Sequence, residues 1–133
     1  HLGARDRRHV HRHHDRRRLR LGPQGRPAPA LAAFAAGARG WCTAAPHVIP
    51  RLNVELYESL QRGDLPAARR SFYRQLPFLQ FIVAHGLPRA IHAALELMGK
   101  AVGPLRAPLQ PLPPDRVAEL RRLLVELEVL PAS

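Results

Sequence analysis

Lysine is almost missing from this chain. Of its 21 basic residues, 20 are arginine, and Lys100 is the one amine side chain. Chemistry that needs a side-chain amine therefore has a single candidate. Cysteine is equally scarce: Cys42 stands alone, which excludes an internal disulfide and suits a reducing cytoplasm. No run of about 18 apolar residues occurs, so no membrane-spanning helix is expected. The basic N-terminus lacks the apolar core of a secretory signal. The first residue is His1 rather than Met, which points to sequence missing upstream.

What is present divides into two unlike parts. Residues 1–26 hold nine Arg against Asp6 and Asp15, a net of +7, and the remaining residues carry only +4 of the total of +11. Leu2, Val10, Leu19 and Leu21 make neither a helical stripe nor an alternation. Like charge and little apolar surface predict disorder there. His9, His11, His13, His14 and Asp15 have imidazole and carboxylate donors, but a structural metal site wants a fixed, closed tetrahedron. No metal site and no cofactor are assigned. The arginines could hold nucleic acid through counterion release, yet no aromatic residue interleaves for base stacking. This sets up one rival reading: a small basic helical module that binds nucleic acid through its Arg/His-rich tail.

From about Pro27 the pattern is helical. Helices are expected at roughly 28–37, 47–61, 65–85, 88–98 and 114–128. Val48, Leu52, Leu56 and Leu60 repeat every four residues. Asp64 is a suitable N-cap, with Pro66 in the first turn behind it. Leu65, Ala68, Phe72, Leu76, Leu79 and Val83 then form the expected inner stripe of a long helix that Pro77 should kink. Ile91, Leu95 and Met98 point inward from the next helix, and Val117, Leu120, Leu124 and Leu127 from the last. Gly40-Trp41-Cys42-Thr43-Ala44-Ala45, a short apolar run behind a glycine, reads as a buried strand. The Pro-rich stretch 101–114 reads as an extended connector.

This order of elements, one strand–helix unit followed by three helices, resembles the end of a dihydrodipicolinate synthase or N-acetylneuraminate lyase. The resemblance rests on Gly37-Ala38-Arg39-Gly40 entering a strand, Val48 to Arg51 in the helix after it, and the Gly63-Asp64-Leu65 junction. Leu76-Pro77, Ala93-Ala94-Leu95-Glu96-Leu97-Met98-Gly99 and Arg106-Ala107-Pro108-Leu109 with Pro111-Leu112 continue it. Two positions depart. Leu87-Pro88-Arg89-Ala90-Ile91-His92 stands where the family often has Asn-Pro-x-Pro-x-Lys. Gly40-Trp41-Cys42-Thr43 stands for Gly-Val-Ile-Ser. Both departures favour a sister aldolase as readily as a true synthase.

The resemblance implies a mostly α chain: the last β/α unit (27–62) and the C-terminal helical domain (63–133) of a TIM barrel whose other strands are absent. A complete (β/α)8 barrel needs about 250 residues. It implies a lyase that joins or cleaves pyruvate and an aldehyde through a Schiff base, without a cofactor, as a cytoplasmic homo-oligomer with no membrane partner. The family's Schiff-base lysine and its proton-shuttling tyrosine have no counterpart in these residues, so no catalytic residue is assigned and the chain alone should be inactive. Cys42 falls where the family lends a backbone carbonyl to the pyruvate pocket. In a fragment, buried packing is the expected state of its side chain. Lys100, behind a helix-ending Gly, reads as a solvated helix-end charge. Ser71, His85 and His92 form no visible triad. Residues 1–26 resemble nothing in the family and read as the product of a shifted reading frame. Apolar stripes suited to the absent barrel should lie exposed.

Overall fold

The computed structural model describes residues 30–100 and 102–132. The expectations for residues 1–26, including disorder, metal binding and a shifted frame, lie outside the described residues.

The chain punctuates its helices in a repeated way. After a short α1 (Ala30–Ala35) and a single 3-10 turn (Ala45–His47) come α2 (Pro50–Gln61), α3 (Leu65–His85), α4 (Leu87–Leu97) and α5 (Pro114–Glu126). Each of the four long helices carries Pro within its first two positions, where its missing N–H costs nothing. The Asp64 carboxylate caps α3 by accepting from the Ala67 N–H at 3.0 Å. At the far end of α2, Gly63 at φ 70° lets the Asp64 N–H turn back to the Ser59 carbonyl at 2.9 Å, the hydrogen bond of a Schellman cap. The C-terminus of α5 makes the same closure, Val129 N–H to Leu124 carbonyl at 2.8 Å, around Glu128 at φ 59°. That is the left-handed region occupied by a residue with a Cβ.

Helices α2 and α3 form a hairpin joined by a polar clasp. The Gln75 amide donates to the Leu52 carbonyl at 2.9 Å, and the Ser71 hydroxyl donates to the same oxygen at 3.3 Å. Both side chains are buried, at 1% and 3% exposure. Asn53, also buried, donates to the Ile49 carbonyl at 3.0 Å. Around this clasp lie two apolar clusters. The larger joins Val48, Ile49 and Leu52 to Phe78, Phe81 and Ile82 of α3, the alanines 90, 93 and 94 of α4, and Leu120, Leu124 and Leu127 of α5. Small alanines let α4 approach its neighbours closely. The second cluster joins Leu56, Ala68 and Phe72, with Leu31, Trp41 and Leu60 against them.

Four sequence expectations are corrected. The inner face of α3 is broader than the expected stripe and omits its ends: Ala68 and Phe72 are buried and Leu76 and Leu79 half-buried as expected, but Leu65 and Val83 are 59% and 58% exposed, and Ser71, Gln75, Phe78, Phe81 and Ile82 also face inward. Residues 40–45 form no strand, and no strand occurs among the described residues. A strand exists by ladder pairing, and no partner strand occurs among the described residues to supply it. Cys42 is exposed rather than buried. Trp41 takes the inward position, and the next side chain of an extended chain points the other way. Of the helix expected at 28–37, the described part ends at Ala35, two residues early. Pro77 sits within α3 and leaves the Tyr73 carbonyl without its helical partner.

Two substitutions test this account. Gln75→Met keeps the volume but loses the donor, and should cost about 1 kcal/mol; Gln75→Glu turns a carboxylate toward the Leu52 carbonyl, and should cost about 3 kcal/mol or more. Equal losses in urea unfolding would show that the clasp is packing rather than hydrogen bonding. Glu128→Gly should stabilise by about 0.5–1 kcal/mol, because relief of the left-handed strain outweighs an exposed ion pair with Arg74. The urea midpoint should rise, and a fall would refute it.

Candidate functional site

The segment 40–44, which carries Cys42, is held at one point. The Trp41 ring sits edge-on to Phe34, with centroids 5.6 Å apart, and tilted over Tyr57 at 6.3 Å; Phe34 and Tyr57 close the group at 6.1 Å. These rings come from α1, the segment itself and α2. They pin it against the hairpin as aromatic pairs do, through edge-to-face contact and shared burial. Downstream the segment is anchored by Ala45, 1% exposed, at the start of the 3-10 turn. The Thr43 hydroxyl accepts from the Ala45 N–H at 3.3 Å. Among the described residues no backbone N–H donates to the Cys42 carbonyl. Within the described residues that oxygen has no donor, and Cys42 itself is exposed.

A separate open groove of about 250 Å³ lies where the N-terminus of α2 meets the ends of α4 and α5. Its wall is apolar through Val48, Ile49, Leu52, Met98, Leu127 and Val129, with His47, Arg51, Lys100 and Glu128 beside them. Cys42 does not line it. Lys100 is exposed; its N–H closes α4 by donating to the Leu95 carbonyl at 2.8 Å. The sequence reading named Lys100 but missed this groove, because His47, Arg51 and Glu128 are far apart along the chain and share no motif.

The other singled-out residues are each engaged elsewhere. The Ser71 hydroxyl belongs to the clasp. The His85 ring lies tilted against Phe81, with centroids 4.4 Å apart. His92 bonds through Nε2 to the Gly103 carbonyl, with Nδ1 3.6 Å from the Glu96 carboxylate. Neither imidazole reaches Ser71, so the three make no nucleophile relay. His92, together with Arg89, whose guanidinium donates to the Pro111 carbonyl at 3.0 Å, straps the Pro-rich connector to α4. At the start of α5 the Glu119 carboxylate, hydrogen-bonded to Arg116 at 2.8 Å, and the adjacent Asp115 raise the guanidinium above its usual range. Among the described residues no group of three or more His, Cys, Asp or Glu could hold a metal. No described helix is long and apolar enough to cross a membrane.

Comparison with known proteins places this geometry. The model of the dihydrodipicolinate synthetase family matches residues 21–127. A 4-hydroxy-tetrahydrodipicolinate synthase from Methanopyrus kandleri is 37% identical over 101 residues, which cover 76% of this chain and 34% of the relative. A solved Pseudomonas aeruginosa protein, provisionally named a dihydrodipicolinate synthetase, superposes with a TM-score of 0.71 at 53% identity, covering 74% of this chain and 34% of that one. The N-acetylneuraminate lyase of Proteus mirabilis superposes with a TM-score of 0.64 at 25% identity over 75% of this chain and 34% of its own. The chain thus spans about a third of the length of the relatives it matches. The rival nucleic-acid module gains nothing here, since the match falls on the helical part. The helices that carry the clasp, the aromatic pin and the Cys42 segment are those of a known lyase scaffold, and the chain belongs to the dihydrodipicolinate synthetase family.

Proposed function

We propose that these residues serve as the C-terminal third of a pyruvate-dependent lyase of the 4-hydroxy-tetrahydrodipicolinate synthase type. In this reading residues 27–62 supply the last strand–helix portion of a (β/α)8 barrel, and residues 63–133 its C-terminal helical domain. The whole enzyme condenses pyruvate with an aldehyde, or cleaves the product, through a Schiff base on a lysine that this chain does not contribute. It works in the cytoplasm, in lysine biosynthesis if the aldehyde is that of the synthases, and as a homo-oligomer.

The observation that carries this reading is the joint match of sequence and helical geometry to the Pseudomonas aeruginosa protein, at 53% identity and a TM-score of 0.71. The Cys42 segment is consistent with it. Its carbonyl has no backbone donor among the described residues, as a group reserved for a substrate hydrogen bond requires. The role belongs to the backbone, so the thiol is spare. Lys100 is a poor Schiff-base candidate. An amine nucleophile is activated by desolvation or by a nearby cation that lowers its pKa, and Lys100 is exposed at a helix end.

Two results are expected. Incubation of the chain with pyruvate and borohydride should leave Lys100 unmodified by mass spectrometry; a pyruvyl adduct there would overturn the division of labour. Residues 37–130, grafted in place of the matching third of the Methanopyrus kandleri synthase, should give a chimera that turns over pyruvate and aspartate semialdehyde. Within that chimera Cys42→Ala should change kcat by no more than about twofold, because the carbonyl survives the substitution. A folded but inactive chimera would sink the proposal, and a large loss on Cys42→Ala would move the role from backbone to thiol.

A further inference from the structure

The helical part of the chain closes on itself, while the residues with strand character do not. Helices α2 to α5 share one core, with the polar clasp on the Leu52 carbonyl inside it, and the groups that hold them all lie within residues 44–130. Segment 40–44 lies at the edge of this body. Among the described residues no ladder bond pairs it, and an extended segment without a neighbour is a half-made strand. An apolar shelf lies beside it. The rings of Phe34, Trp41 and Tyr57 meet at 5.6, 6.1 and 6.3 Å. Tyr57 is 40% exposed, and Val54, one turn earlier on α2, is 54% exposed. Unpaired extended backbone beside such a shelf is what strand addition uses: the main chain supplies hydrogen bonds and the side chains supply burial.

The chain spans about a third of the length of the relatives it matches. In the family reading, the remainder of such a relative is the greater part of a parallel barrel. A (β/α)8 barrel short of one strand has two open edges across a gap one strand wide, and each edge presents unpaired N–H and C=O groups. A single extended segment, with donors and acceptors on both sides, fills that gap. A helix, whose backbone groups are already paired, does not.

We propose, resting on that family reading, that the helical part is a folding unit of its own and joins the barrel part of a family enzyme without a covalent link, segment 40–44 entering last as the missing strand. The partner is an open parallel sheet with a one-strand gap. Helix formation precedes docking because α2 to α5 need nothing from the sheet, whereas residues 40–44 take all their ladder bonds from it.

The test co-expresses the full chain with a Methanopyrus kandleri synthase truncated before the third that this chain matches. The control pair is the same truncated synthase with its own matching third. Alone, the chain should lose its helical circular dichroism cooperatively in urea, and iodoacetamide should alkylate the exposed thiol of Cys42. With the truncated barrel, the two chains should co-purify, and alkylation of the Cys42 peptide, followed by mass spectrometry, should slow at least about tenfold. Cys42→Pro removes one ladder N–H. It should abolish co-purification with the circular dichroism unchanged, since no helix includes residue 42. Cys42→Ala keeps the N–H and should co-purify.

The chimera that carries residues 37–130 separates this proposal from the reading beneath it. An active chimera without co-purification, or with co-purification that leaves Cys42 as reactive as in the free chain, would overturn the docking and leave the family reading standing. A folded but inactive chimera would overturn both. Co-purification that survives Cys42→Pro would also refute the docking. So would failure of the control pair, because the barrel part would then require a covalent link. A dimer of the chain alone with Cys42 already protected would refute it too, by assigning the edge to a second copy.

Discussion

The Leu52 carbonyl holds the rest of this structure in register. It lies in the first turn of α2 and accepts from two buried donors on α3, Gln75 and Ser71. A carbonyl has two lone pairs, and a helical one commonly leaves part of that capacity unused. Bringing α3 to it fixes both the rotation of α3 and its height along α2. Once that is set, Phe78, Phe81 and Ile82 have one direction to face, and the alanines of α4 and the leucines of α5 close over them. The same rotation turns Leu65, Tyr73 and Val83 to solvent. The apolar residues outside and the polar clasp inside are two consequences of one bond geometry.

The segment 40–44 shows the opposite dependence. A helix satisfies its backbone internally, so α2 to α5 form wherever their faces can be buried. A barrel strand satisfies nothing by itself, because every ladder bond needs a neighbour. The residues with strand character, Trp41 to Thr43, are therefore unpaired here. What survives of the unit is what side chains alone can hold: Trp41 between Phe34 and Tyr57, and Ala45 in the core. The Cys42 carbonyl has no backbone donor among the described residues for the same reason.

Much of the helical plan was legible in the residues. Pro at helix starts, Gly after helix ends and Asp64 as a cap are local signals, and each acts through the backbone of its own turn. The stripes of α2 and α5 were legible because Leu52, Leu56, Leu120 and Leu124 are apolar residues in apolar places. The stripe of α3 was legible only in its middle, where Ala68 and Phe72 are buried as expected. Its buried face includes Ser71 and Gln75, which a count of apolar periodicity assigns to solvent, while Leu65 and Val83 count as core and are not. Only a partner carbonyl 19 and 23 residues upstream makes those polar groups fit to bury. Cys42 was misplaced for a related reason: burial of a strand side chain is a property of the sheet, and no sheet is encoded in the described residues.

This difference decides how far the family resemblance reaches. Properties carried by the internal helical core transfer with the sequence, because the residues that create them are all present. His92 illustrates the latitude allowed. It stands where the resemblance puts a lysine, and with Arg89 it ties the connector to α4, through the Gly103 and Pro111 carbonyls. Either side chain can donate to a carbonyl, so the strap tolerates the exchange. Properties carried by the barrel need groups from other strands, and one carbonyl cannot stand in for them. A Schiff-base site requires an amine held with lowered pKa in a closed pocket; the lone lysine here ends a helix in solvent. The helical scaffold is thus held by the chain's own physics, through the Leu52 clasp and the core that α2 to α5 share.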